Sequence, residues 1–267
     1  MPIYLLICII CAVVVGVLSG FSPFWLPLVC FVLLATVPSL TYWGVLGLLS
    51  LPISLKKEYS EPSPFYLRCL NAAYLFTCFA GRIKLNVIGL EKLPKGERFL
   101  FISNHLSRFD PMIQSLALRK TPLAFVSKPE NFKIPIGRRF MKRSCYIPID
   151  RSSPKKAAAS IARASELLKS GKISVGVYPE GTRGKSYDLQ EFRSGCLKAA
   201  TKANAPIAVA VITGTEKIHK NSPWRRTPVT LEIITIIYPQ KEKTTELSEE
   251  IKNIMQNALD KRKENPQ

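Results

Sequence analysis

No lysine, arginine, aspartate or glutamate occurs before Lys56. A stretch of that length without charge is not a water-facing surface, so the N-terminal part of the chain has to meet an apolar medium. Residues 3–18 are continuously apolar, Ser19-Gly20-Phe21-Ser22-Pro23 interrupts the run, and residues 24–55 are apolar again with Pro27 and Pro38 inside. A bilayer core of ~30 Å takes about 20 residues of helix, and both runs are close to that length. A cleaved secretion signal would have basic residues ahead of its apolar stretch and no second apolar stretch behind it. Residues 1–57 are therefore expected to form a membrane-embedded helical hairpin. It spans the bilayer or stays in one leaflet according to whether Pro38 breaks the second helix. Lys56 and Lys57 at its exit favour the cytoplasmic face of the inner membrane for residues 58–267.

All 38 basic and 19 acidic residues fall in that second part, which carries the whole net charge of +19. Such a surface suits an anionic partner: a membrane face, a phosphorylated substrate or nucleic acid. The seven cysteines are odd in number and scattered, and no pair has zinc-ligand spacing with histidines. They are expected to be reduced and buried, with no metal site. Cys145 and Cys196 have no second histidine placed to activate them as nucleophiles.

The pattern of residues 82–88, 99–103, 123–127, 146–149, 173–178, 206–212 and 229–238 predicts strands. Helices are predicted over 65–80, 111–118, 154–170, from about 194 to 203, and 244–263. From residue 99 onward strands alternate with helices. That order predicts an α/β domain, with a largely parallel central sheet flanked by helices and its site at the carboxyl ends of the strands. Between Lys133 and Arg143 five basic residues are interleaved with apolar ones, which suits either an anionic lipid surface or a solvated basic helix. Trp224-Arg225-Arg226 reads as an interfacial anchor or as a plain surface loop.

Two stretches carry chemistry. The first is FLFISNHLSRFD, residues 99–110. The apolar run ends at Ile102, His105 falls in the turn behind it, and Pro111 suits the first position of a helix. Asp110 is therefore expected as the N-cap, with one oxygen on the helix and the other on the His105 ring. In one continuous helix a separation of five would turn the two side chains about 140° apart, but a turn lets the chain fold back. A carboxylate on one ring nitrogen fixes the tautomer and leaves the other nitrogen as a base for a hydroxyl. The alternative is a helix cap beside an unrelated histidine.

The second stretch is Glu180-Gly181-Thr182-Arg183-Gly184, with Phe192-Arg193-Ser194-Gly195 behind it. A helix starting near Ser194 or Gly195 would offer free N–H groups, and Arg183 and Arg193 fork-shaped donors, to a phosphate or carboxylate. The spacing is not that of a nucleotide P-loop. An ordinary polar loop is the plainer alternative.

Taken together these residues resemble the 1-acylglycerol-3-phosphate O-acyltransferases of phospholipid synthesis. The first motif of that family, Asn-His, four residues, then Asp, matches Asn104, His105 and Asp110. Its glycine-arginine block resembles Gly137-Arg138-Arg139 followed by Ile149-Asp150-Arg151. Its third motif matches Glu180-Gly181-Thr182-Arg183 with Phe192-Arg193-Ser194-Gly195. A fourth, Pro-x-x-Pro, is half kept: Pro206 has no second proline after it, which bears on the acyl donor. The likeness covers about residues 80–215. It implies that His105, oriented by Asp110, deprotonates the free hydroxyl of a lysolipid, which attacks an acyl thioester directly. Asn104, Lys128, Arg151, Glu180, Gly181, Thr182, Arg183, Arg193 and Gly195 are the implied substrate-binding residues, with Arg183 foremost on the glycerol phosphate. No cofactor is implied beyond acyl-CoA or acyl carrier protein as co-substrate. The implied partners are membrane lipids and lysophosphatidic acid, not nucleic acid. Competing readings are an acyltransferase for glycerol 3-phosphate or another lysophospholipid, a hydrolase, and a membrane-tethered binding module for anionic ligands.

Overall fold

The computed structural model describes residues 2–150, 152–240 and 243–264. Contacts divide the chain into two compact units, one ending at Ser54 and the other starting at Leu55, against an expected division after residue 57.

The first unit holds α1 (Pro2–Leu18) and α2 (Leu26–Ser50), which pack on each other. The 25 residues of α2 extend ~37 Å at 1.5 Å per residue, and α2 is long and apolar enough to cross a bilayer. Leucines and valines such as Leu28, Leu33 and Leu40 point outward along it. Pro38 does not break it: the helix runs through the proline, as helices in apolar surroundings commonly do. α1 is a shorter apolar helix.

The second unit is an α/β domain. Helix α3 (Pro64–Ala80) leads into β1 (Ile83–Ile88). Then come β2 (Leu100–Ser103), α4 (Asp110–Ala117), β3 (Leu123–Ser127), α5 (Gly137–Arg143), β4 (Ile147–Pro148), α6 (Pro154–Lys169), β5 (Ser174–Val177), α7 (Lys198–Ala203), β6 (Ile207–Thr213), α8 (Ile218–Asn221), β7 (Thr227–Ile237) and α9 (Thr244–Glu264). The seven strands form one sheet in the order β1-β7-β6-β2-β5-β3-β4. Every neighbouring pair is parallel except β6 with β7. The exception has a local cause. A parallel crossover usually carries the chain back along the sheet on a full helix, whereas the β6–β7 connection holds only the short turns Thr215–Lys217 and Ile218–Asn221.

The sheet centre explains why unbroken apolar runs read as strands. Phe99 just before β2, Leu100 through Ile102 on it, and Ile207 through Ile212 on β6 are essentially inaccessible, because helices cover both faces. α3, α4 and α5 pack together on one side, while α6, α7 and α9 gather with the 3-10 turn Ser194–Leu197. The basic-apolar segment after Lys133 becomes α5, with Phe140 and Met141 turned into the core and Arg138, Arg139, Lys142 and Arg143 half-buried.

Candidate active site

The two chemical stretches leave the sheet side by side. β2 and β5 are parallel neighbours, with Ile102 opposite Val177. His105 follows the end of one strand and Glu180 the end of the other, where α/β sheets place their ligands.

The loop after β2 is built around one oxygen atom. Asp110 Oδ2 accepts the backbone N–H groups of Leu106 and Ser107, each at 2.7 Å, and faces His105 Nδ1 at 2.8 Å. An oxygen that already accepts two N–H groups is an acceptor toward the ring as well, so Nδ1 carries the proton and Nε2 is left with its lone pair. Asp110 is fully buried, and the His105 side chain is 18 % exposed. The expected division of labour between the two carboxylate oxygens does not occur. Asp110 is the first residue of α4, Phe109 stands at the N-cap position, and Oδ1 is buried with no hydrogen-bond partner among the described residues. The carboxylate closes the turn in front of the helix instead of capping the helix itself.

The imidazole lies on a shelf. Tyr178, the residue after β5, stacks under it with ring centres 4.1 Å apart and planes 13° from parallel. The Tyr178 hydroxyl donates to Gln114 Oε1 at 2.8 Å, and Gln114 Nε2 donates to Ser103 Oγ at 2.9 Å. Burial, with the Asp110 charge second, pushes the Tyr178 phenol well above its usual value, so it stays a neutral donor. Phe125 stacks against Tyr178 from β3, and a Cβ on Gly176 would run into the Phe125 ring. Gly176 thus makes room for Phe125, Phe125 backs Tyr178, and Tyr178 holds the imidazole flat.

Asn104 does not face a ligand. It is 1 % exposed; its Nδ2 donates to the Ile212 carbonyl at 2.9 Å and its Oδ1 accepts the Ile212 N–H at 2.8 Å. Where β2 stops pairing, the amide stands in for a peptide group and fastens the His105 turn to β6. The expectation that Asn104 binds substrate gives way to that role. Glu180 is likewise committed inward. Its Oε1 accepts the His105 N–H at 3.0 Å and its Oε2 the Gln190 N–H at 3.2 Å. Burial raises its carboxyl above the usual value, and these two hydrogen bonds pull it back down. Gly184 N–H donates to the His105 carbonyl at 2.7 Å. The Glu180–Gly184 segment therefore grips both sides of the histidine's own peptide.

That grip holds Thr182 and Arg183 outward, both exposed. Gly181 adopts φ +76°, the left-handed turn that glycine allows. Thr182 Oγ1 donates to Gln190 Oε1 at 3.0 Å, and Arg193 N–H donates to the Pro179 carbonyl at 2.9 Å. The 190–193 segment so returns beside the end of β5 with the Arg193 side chain exposed. Lys128 is exposed just past β3, the other neighbour of β5. Gly195 lies in a 3-10 turn, and α7 begins at Lys198 with six residues. The expected helix start at Ser194–Gly195 is thus a tighter turn, which weakens the case for a dipole-based anion site there. Arg151 lies outside the described residues.

Burial pushes the Cys145 thiol up to about 11 and that of Cys196 to about 12, which keeps both protonated and poor as nucleophiles. Among the described residues no group of three or more His, Cys, Asp or Glu side chains is arranged to hold a metal. A base with an open nitrogen beside an exposed arginine loop can take a proton from an alcohol anchored by an anionic group. Tyr178, Gln114 and Ser103 escape sequence reasoning, although a glutamine on the inner face of an otherwise apolar helix is a readable sign of a buried polar network.

Known proteins resemble this chain. A probable 1-acyl-sn-glycerol-3-phosphate acyltransferase of Mycoplasma pneumoniae is 34% identical over 184 residues, covering 64% of this chain and 66% of that protein. The 1-acyl-sn-glycerol-3-phosphate acyltransferase of Borreliella burgdorferi is 27% identical over 146 residues, covering 55% of this chain and 58% of that protein. The chain thus spans less than two thirds of the length of these curated relatives. The crystal structure of the 1-acyl-sn-glycerophosphate acyltransferase PlsC from Thermotoga maritima has the same fold. Its TM-score is 0.62 at 24% identity, covering 74% of this chain and 79% of that one. The Acyltransferase family model matches residues 84–213, a span that holds the His105–Asp110 pair, Tyr178 and the Glu180–Arg193 loop.

Proposed function

We propose that this protein transfers a fatty acyl group from a thioester to the sn-2 hydroxyl of 1-acylglycerol 3-phosphate, giving phosphatidic acid for phospholipid synthesis. The observation that carries the reading is the His105 ring: Nδ1 is tied at 2.8 Å to a buried carboxylate, which leaves Nε2 as the general base. Nε2 takes the hydroxyl proton, the oxygen attacks the thioester carbonyl, and the tetrahedral intermediate expels the thiolate, which leaves protonated. No acyl-enzyme is needed, in keeping with the two cysteines whose thiols stay protonated. Arg183 binds the acceptor phosphate, helped by Thr182, Arg193, Lys128 and Arg151, while Glu180 and Gly181 shape the loop that presents it. The named activity of the relatives supports this acceptor, and the apolar helices supply access to it. Acyl-CoA or acyl carrier protein is the donor, and Lys56 and Lys57 favour a cytoplasm-facing domain.

An assay in detergent with lysophosphatidic acid, glycerol 3-phosphate and each thioester donor tests the proposal. His105→Ala should remove turnover while the protein stays folded, and Arg183→Ala should chiefly raise the acceptor KM. Faster acylation of glycerol 3-phosphate, or release of free fatty acid without acceptor, would overturn it.

A further inference from the structure

The connection between β6 and β7, residues 214–226, takes no part in the chemistry above. It carries Lys217, Lys220, Arg225 and Arg226, all exposed, against a single acid, Glu216, whose carboxylate accepts the Tyr187 hydroxyl at 2.8 Å. Near its end Trp224 is 80% exposed. The indole is not on a loose tail. Arg225 N–H donates to the Asn221 carbonyl and Arg82 Nη1 to the Trp224 carbonyl, both at 2.7 Å, and Thr227 N–H donates to the Arg82 carbonyl at 3.0 Å. Arg82 stands just past α3, and Phe79 and Leu75, on the same face of that helix, are 63% and 58% exposed. An aromatic and aliphatic stripe therefore runs into a braced, cationic loop.

Strand register fixes which end of the domain this is. Ser103 on β2 lies opposite Ala210 on the parallel β6, Thr213 opposite Thr230 on the antiparallel β7, and Ile83 opposite Thr227 on the parallel β1. The end of the sheet where β2 and β6 finish is the end where β1 and β7 begin. His105 follows the first pair, and Arg82 and Trp224 precede the second.

We infer that Leu75, Phe79, Arg82, Trp224, Arg225 and Arg226 form a docking surface for an anionic phospholipid bilayer, which turns the His105 end of the sheet toward the membrane. The inference rests on the reading that the acceptor is a membrane lipid. Indole side chains favour the boundary between water and hydrocarbon, and arginine pairs with phosphate through two parallel hydrogen bonds. The apolar stripe beside the cations fits a lipid surface better than an acidic protein, for which charge alone would serve. Each arginine near such a surface raises the docked fraction about fivefold.

The test uses the full chain with Trp25 and Trp43 replaced by Phe, which leaves Trp224 as the reporter tryptophan. The protein is reconstituted into phosphatidylcholine vesicles with and without phosphatidylglycerol, with bromine on the lipid acyl chains. The expected result is a blue-shifted Trp224 emission quenched by bromine in the anionic vesicles. Arg225→Ala and Arg226→Ala should each lower the docked-to-free ratio about fivefold, and high salt, which shortens the Debye length to ~3 Å at 1 M, should lower it too. Should the tryptophan replacements fail to fold, hydrogen exchange of residues 214–226 in the unmodified chain gives the same answer, with slower exchange expected in anionic vesicles. Emission that stays red and unquenched in both vesicle types, or that shifts only when an acidic carrier protein is added, overturns the inference. Quenching without acylation of lysophosphatidate would sustain the docking and sink the acceptor reading; acylation without quenching would do the reverse.

Discussion

Asp110→Asn separates the charge of the carboxylate from its shape. In one orientation the amide oxygen replaces Oδ2 and keeps the three contacts to Leu106 N, Ser107 N and His105 Nδ1 at 2.7, 2.7 and 2.8 Å. The amide nitrogen then occupies the position of Oδ1, which is buried without a partner, and an unsatisfied buried donor costs about 1–3 kcal/mol. The flipped orientation sets an NH2 against two backbone N–H groups and is worse, so the first should prevail. The tautomer is then retained while the charge is lost. A unit charge about 4 Å from the imidazolium that forms in the transition state contributes roughly 4 kcal/mol at an effective dielectric constant of 20, which corresponds to about 10³ in rate. Steady-state kinetics should show kcat falling by about 10²–10⁴ with the acceptor KM nearly unchanged. The melting temperature should drop by about 2–4 °C per kcal/mol for a domain of this size, and the Leu106 and Ser107 amides should keep their hydrogen-exchange protection. A variant with kcat within tenfold of wild type and an intact fold would refute the role given to the carboxylate.

Tyr178→Leu removes the shelf under the imidazole and should lower kcat by about 2–10-fold, the range of an aromatic pair worth ~0.5–1.5 kcal/mol, without moving the acceptor KM; Tyr178→Phe keeps the stack and should lose stability more than rate. Asn104→Ala leaves the Ile212 N–H and C=O buried and unpaired and should cost about 1–3 kcal/mol for each in denaturant unfolding; a loss below 1 kcal/mol would show that the amide is no strut. Burial holds the Glu180 carboxyl above its ordinary 4.5, so the folded protein keeps that proton to higher pH than the unfolded chain and loses stability as pH rises through the folded value. Glu180→Gln does not titrate. Thermal melts should therefore show its stability relative to wild type rising between pH 4.5 and neutrality, and a difference independent of pH would contradict the burial.

What could be read from the sequence follows from how local the cause is. The charge-free N-terminus, the strand-helix alternation and the His105–Asp110 spacing are properties of neighbouring residues, and each appears in the structure close to where it was expected. The continuity of α2 through Pro38 was not legible, since a proline's effect depends on what surrounds the helix. The reversal at β7 was hidden because it goes with the absence of a full crossover helix between residues 214 and 226, not with the composition of a strand. Asn104 and Glu180 were misassigned for a shared reason. In sequence both stand beside the chemistry, and only the distant Ile212 and Gln190 reveal that their polar atoms are already used. Tyr178 belongs to the same class, because a stacking partner 73 positions away along the chain leaves no periodic trace.

His105 offers its amide hydrogen to Glu180 and its carbonyl to Gly184, and between those two residues stand Thr182 and Arg183. The link that bears the base is thus suspended from the same strip of chain as the arginine proposed to bind the acceptor's phosphate. If Arg183 captures the acceptor as proposed, a tug on its guanidinium would travel through these two hydrogen bonds to the imidazole, and capture of the acceptor and aiming of the base would be one mechanical event.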